Sequence, residues 1–186
     1  MSPLIDPRSQ DKTLVIMRHA EADAPWGVSD FDRPLTERGH AQAPDAGRRL
    51  LEIGAAPEMI VCSAALRTRQ TCTWVCDALG EKAPTASLEE RLYNAPPREL
   101  MRAIARVPET VRALMVIAHY PAVQEVSMRL ASRDSDYDAV MDASSGFPAG
   151  GFAVLTTDRP WAALDQADAV LRAFVAPQRQ PGARNA

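Results

Sequence analysis

The sequence is short of lysine, histidine, cysteine and aromatic residues, and each shortage narrows what the protein can be. Lysine occurs twice, at Lys12 and Lys82, and 21 basic residues face 24 acidic ones for a net charge of -3. Such a chain carries no global positive field for nucleic acid or anionic lipid, so any anion site must be local. The aromatics, three Trp, three Tyr and four Phe, are not interleaved with basic residues as in nucleic-acid binders, which removes that class of partner. Cys62, Cys72 and Cys76 are odd in number, so a full disulfide scheme leaves one unpaired and free thiols in the cytoplasm are expected. Cys72 and Cys76 lie four apart without a second pair, which is poor zinc spacing. No apolar run approaches the roughly 18 residues of a spanning helix, and the first residues lack the basic and apolar regions of a signal peptide. The expectation is a soluble, cytoplasmic protein with no membrane partner.

What is present suits a packed core. At 186 residues, 46% hydrophobic and 24% charged, the chain matches one ordinary globular domain. We expect an N-terminal arm over 1–11, a domain over 12–176 and a disordered tail over 177–186. Four short apolar runs, Leu14–Met17, Met59–Cys62, Leu114–Ala118 and Phe152–Leu155, read as buried strands. Helical periodicity covers 39–53, 64–79, 97–106 and 121–131, with Ala43, Ala46, Leu50 and Leu51 near one face of the first. Residues 132–150, rich in Ser, Asp, Gly and Pro, read as a loop, and 169–175 as a closing edge strand. Strand and helix in alternation predict an α/β fold, with a mostly parallel sheet.

Reactive residues follow three of the strands at once. Arg18 and His19 follow the first, Ser63 and Arg67 the second, and His119 the third. In open α/β sheets ligands bind outside the carboxyl ends of the strands, so a parallel sheet brings these residues to one rim. Two guanidiniums can clamp phosphoryl oxygens, and a neutral imidazole can attack phosphorus, which makes His19 a nucleophile candidate. Of three histidines, His19, His40 and His119, two end strands; His40, beside Gly39 at a helix start, is expected to be exposed. Ser63 and Thr71 could support the pocket through their hydroxyls, or merely cap and line the helix that carries Arg67.

These segments resemble the histidine phosphatase, or phosphoglycerate mutase-like, superfamily. Arg18-His19-Ala20-Glu21 is similar to its Arg-His-Gly/Ala signature, and Leu35-Thr36-Glu37-Arg38-Gly39 to its Leu-Thr-x-x-Gly helix entry. The segment from Cys62 to Thr71 resembles its second-arginine segment, and Ala118-His119-Tyr120-Pro121 its Gly-His-x-Pro signature, with Ala118 in place of Gly. Asp32-Arg33-Pro34-Leu35-Thr36, Leu92-Tyr93-Asn94-Ala95 and the short length are similar to the SixA-type phosphohistidine phosphatases within it.

The resemblance implies a three-layer sandwich, with helices on both faces of the sheet. It implies that His19 becomes phosphorylated, that Arg18, Arg67 and His119 form the phosphate pocket, and that no metal or other cofactor takes part. Arg33 is a weaker candidate for substrate contact, with an ion pair to Asp30 or Asp32 as the alternative. Many members use a carboxyl group to protonate the leaving oxygen, and the SixA-type branch lacks it. Asp23, Asp32, Glu89, Glu90 and Glu99 are ambiguous candidates here. An imidazole leaving group tolerates that lack better than an alkoxide. The expected activity is hydrolysis of phosphohistidine on a protein. Two other readings stay open, a small-molecule phosphomonoesterase and a non-catalytic phosphate- or phosphopeptide-binding module.

Overall fold

The computed structural model describes residues 4–5 and 10–177. Six strands, β1 (Lys12–Arg18), β2 (Met59–Ser63), β3 (Ala86–Glu89), β4 (Ala113–Ala118), β5 (Phe152–Thr157) and β6 (Val170–Val175), form one sheet in the order β3-β2-β4-β1-β5-β6. The pairs among β3, β2, β4 and β1 are parallel, whereas β5 runs antiparallel to β1 and β6 antiparallel to β5. The helices are α1 (Glu37–Glu52), α2 (Leu66–Leu79), α3 (Pro97–Ala105), α4 (Ala122–Leu130) and α5 (Tyr137–Ser145).

Side chains along the central strands alternate between two cores, as strand geometry requires. Leu14, Ile16, Leu114, Val116 and Leu155 pack with Leu100 and Ile104 of α3 and Val123 and Val126 of α4. Val15, Met17, Met115, Ile117 and Val154 pack on the other face with Leu50 of α1 and Val75 of α2. Both faces are therefore apolar, which explains why these strands read as continuous hydrophobic runs. The result is the three-layer α/β sandwich with a mostly parallel sheet.

One expectation is corrected and one element is added. Residues 132–150 are not all loop: Tyr137–Ser145 forms α5, started by the Asp136 carboxylate, which accepts from the Ala139 amide at 2.9 Å, and seated by buried Ala139 and Ala143 one turn apart. The Ser and Asp residues that suggested a loop supply this cap and its exposed face. The four-residue strand β3 carries no apolar run in the sequence, because Ala86–Glu89 is an edge segment without a fully buried residue. The arm and tail expected at the chain ends lie, apart from Leu4, Ile5, Gln10, Asp11 and Pro177, outside the described residues. Among the described residues no helix is long and apolar enough to cross a membrane.

Candidate active site

Parallel pairing sets the site. Arg18 lies opposite Ala118 in the β1–β4 register and Cys62 opposite Ile117 in β2–β4, so Arg18-His19, Ser63 and His119 leave the sheet at one rim. The helix entry α1 is tied to the same rim. Thr36 caps α1 by accepting from the Gly39 amide at 3.0 Å, and its own amide donates to the Glu21 carbonyl at 3.0 Å. A Cβ on Gly39 would stand 2.1 Å from that carbonyl, so only glycine lets α1 approach the loop after His19.

A cavity of about 250 Å³ opens here, lined by Arg18, His19, Glu21, Arg33, Arg67 and His119, with Asn94 and Tyr120 among its other walls. The His19 and His119 rings lie 5.2 Å apart. His19 Nδ1 sits 2.7 Å from the Ala20 carbonyl, and Arg67 Nε donates to His19 Nε2 at 3.3 Å. A guanidinium only donates, so Nε2 carries the lone pair and Nδ1 the proton. His119 is held likewise: Nδ1 faces Arg67 Nη2 at 3.4 Å, and Nε2 therefore donates to the Ser63 hydroxyl at 2.8 Å. Burial, helped by repulsion from His119, Arg67 and Arg18 and opposed by the Ala20 carbonyl, pulls His19 down to about 3. Burial and then Arg67 pull His119 down to about 4. Both rings are neutral near pH 7.

Arg18 donates from Nη1 to the Phe147 carbonyl at 2.8 Å, and its guanidinium lies 5.2 Å from the centre of the Tyr120 ring. Its buried Nε has no partner among the described residues. Thr71 Oγ1 accepts from the Ala20 amide at 3.0 Å and donates to the Arg67 carbonyl at 2.7 Å, so it joins the His19 loop to α2. Ser63 is not the cap of α2, a position held by Ala65; its hydroxyl belongs to His119 instead. Arg33 lines the cavity but spends its donors on its own loop, on the Asp23 and Ala22 carbonyls and the Asp30 carboxylate.

None of the five carboxylates considered as acids lines the cavity. Asp23 caps the Ala24 amide, Asp32 accepts from Ser29, and Glu99 pairs with Arg102 on α3. The lining carboxylate is Glu21, engaged by Thr36 Oγ1 at 3.0 Å and Arg38 at 3.2 Å. His40 is half-buried, not exposed, with its ring edge-on to Trp74 at 5.7 Å. The three cysteines are free thiols, and Cys62 and Cys72 are buried.

Sequence reasoning missed Asp30 and Tyr93 as parts of this site. Asp30 Oδ2 accepts from Arg67 Nη2 at 3.1 Å and from the Tyr93 hydroxyl at 2.7 Å. The adjoining Asn94 reaches the cavity wall with φ 47, a conformation Asn tolerates better than most residues.

The model of the histidine phosphatase superfamily (branch 1) matches residues 14–115, a stretch that runs from β1 into β4 and takes in Arg18, His19 and Arg67. The chain belongs to this superfamily. An uncharacterised protein of Mycobacterium tuberculosis is 37% identical to this superfamily member over 163 residues, which cover 87% of this chain and 100% of that one. Among solved structures, a protein assigned as phosphohistidine phosphatase SixA from Nakamurella multipartitia superposes with a TM-score of 0.80 at 34% identity, covering 91% of this chain and 98% of that one. One with the same assignment from Agrobacterium tumefaciens gives a TM-score of 0.72 at 29% identity, covering 91% and 100%. The sandwich described above is thus the phosphoglycerate mutase-like fold of those neighbours.

Proposed function

We propose that this protein hydrolyses phosphohistidine on a protein partner, through a covalent phosphohistidine formed at His19 Nε2. The observation that carries the reading is the orientation of His19. Its Nδ1 proton is committed to the Ala20 carbonyl, which leaves the lone pair on Nε2, at the cavity lined by Arg18, Arg67 and His119, where Arg67 Nε donates to it until phosphoryl oxygens take that donor. The similarity to proteins assigned as phosphohistidine phosphatases supports the same substrate class.

In the first step Nε2 attacks phosphorus as the bond from phosphorus to the donor imidazole nitrogen breaks. Arg18 and Arg67 meet the charge on the equatorial oxygens. The departing imidazole takes its proton from solvent, a transfer its near-neutral basicity makes easy without a strong acid. In the second step water attacks the phosphorus on His19, phosphate leaves, and Nε2 regains its lone pair. Neutral His119 accepts from Arg67 and is held in that tautomer by Ser63, which gives Ser63 a positioning role. Arg33, at the cavity wall, would meet the substrate after exchanging a loop contact. This chemistry calls on no metal, because the guanidiniums supply the positive charge. We place the protein in the cytoplasm, in keeping with its free thiols.

The test compares kcat/KM for a phosphohistidine peptide with that for p-nitrophenyl phosphate. Preference for the peptide is the expected result. Preference for the ester moves the substrate class to small phosphomonoesters, and phosphate binding without turnover of either identifies a binding module.

A further inference from the structure

Asp30 holds more of Arg67 than any other residue does. It stands in a short 3-10 turn, Asp30–Asp32, begun by Ser29. Its backbone carbonyl accepts from Arg67 Nη1, and its carboxylate Oδ2 accepts from Arg67 Nη2 at 3.1 Å. The same carboxylate is braced from two sides, by the Tyr93 hydroxyl on Oδ2 at 2.7 Å and by Arg33 Nη1 on Oδ1 at 3.1 Å. Tyr93 is itself wedged in place. It meets Phe31 edge-on at 5.0 Å and His119 at 5.9 Å, and the Arg67 guanidinium lies 5.8 Å from its ring centre.

A guanidinium is planar and rigid, so anchoring one edge fixes the other. With Nη1 and Nη2 on Asp30, the Nε and Nη2 side of Arg67 is directed at His19 Nε2, 3.3 Å away, and His119 Nδ1, 3.4 Å away. We propose that Asp30, braced by Tyr93 and Arg33, is the positioning residue that holds the Arg67 fork between His19 and His119, where the transferring phosphoryl group must sit. This rests on the reading of the site as one for phosphoryl transfer. Two rival roles for Asp30 are open to test. A proton donor would need a protonated carboxyl, whereas the Tyr93 hydrogen bond and the neighbouring arginines hold this one at about 2. A plug, competing with phosphate for Arg67, would restrain the enzyme, and its removal would speed it.

The experiment is a double-mutant cycle on the full chain with Asp30→Ala, Arg67→Ala and the pair, supplemented by Asp30→Asn and Tyr93→Phe. Its readouts are kcat and KM with p-nitrophenyl phosphate and with a phosphohistidine peptide, affinity for inorganic phosphate by calorimetry, and Tm. A misplacement of about 1 Å can cost about 100-fold, so Asp30→Ala should lower kcat/KM by about 10- to 100-fold, mainly through kcat. Tm should fall as well, because Asp30→Ala leaves the buried Arg67 guanidinium without its carboxylate, so the positioning role is read from kcat of the folded protein and not from Tm. Asp30→Asn, which keeps an acceptor, should lose less, and Tyr93→Phe less again. In the Arg67→Ala background, Asp30→Ala should cost nothing further. An equal loss in both backgrounds, no loss in either, or a gain of activity overturns the proposal. If neither substrate turns over, the reading of function fails, and the same cycle on phosphate affinity still decides the positioning role. Absence of phosphate affinity as well overturns both.

Discussion

At the amino end of β1 the Lys12 side chain is buried; at the carboxyl end, six residues on, the Arg18 guanidinium is half-buried. Lys12 meets a carbonyl (Arg159, 3.1 Å), an aromatic ring (Trp161, 5.1 Å) and a carboxylate, Glu109. Arg18 meets a carbonyl (Phe147, 2.8 Å) and an aromatic ring (Tyr120, 5.2 Å), but among the described residues no carboxylate, and its buried Nε has no partner. The two ends of one strand thus build the same cradle, and only one supplies the anion. A buried cation without a counter-ion is costly. That cost is offset at the rim if an anion arrives from outside, and a phosphoryl group has the oxygens to do so.

The sharpest way to break the contrast is to spoil the fork at the rim. Arg67→Lys keeps the charge but not the geometry, so kcat/KM should fall by about 100-fold or more, roughly 3 kcal/mol of transition-state stabilisation. Equal activity would show that charge alone suffices. The next largest effect is expected from Arg18→Met. Affinity for inorganic phosphate should fall by about 10-fold or more, while Tm stays level or rises, because a guanidinium lacking its counter-ion is removed. A clear loss of Tm would mean that Arg18 is as structural as Lys12. At the other end the signs reverse: Glu109→Ala strands the buried Lys12 ammonium, so Tm should fall with kcat/KM unchanged.

A further effect is pH-dependent. His19 and His119 titrate at about 3 and about 4 in the folded chain and near 6.5 when unfolded. Between these limits the unfolded chain binds protons that the folded chain refuses. Their contribution to stability is therefore full above about pH 6.5 and is lost progressively as pH falls toward the folded values. A series of Tm measurements from about pH 7 to about pH 4 should fall, and His119→Gln should flatten the slope. Carboxylates such as Asp30, held at about 2, act only below that window.

The parallel core of the sheet was legible because β1, β2 and β4 are buried on both faces and announce themselves as apolar runs. Arg18, His19, Arg67 and His119 were legible because each lies at or just beyond a strand end, so topology alone brings them together. Asp30 and Tyr93 were not. Their hydrogen bond joins positions 63 residues apart, and neither sits on a strand or a regular helix, so spacing carries no trace of it. The five carboxylates weighed as acids failed for a related reason: each finds a place in its own loop, helix or strand end, away from the cavity lining. Glu21, directly after the Arg-His-Ala segment, lines the cavity instead. Helix α5 does carry a signal in the sequence, the Asp136 cap followed by small residues at 139 and 143.

The most direct test is to quench the enzyme during turnover, measure its intact mass, and locate any acid-labile phosphoryl group on the protein. With Nδ1 committed to the Ala20 carbonyl, one phosphoryl group should appear on Nε2 of His19 and be absent from His19→Ala. An adduct on Nδ1, on another residue, or undiminished in His19→Ala would contradict the account.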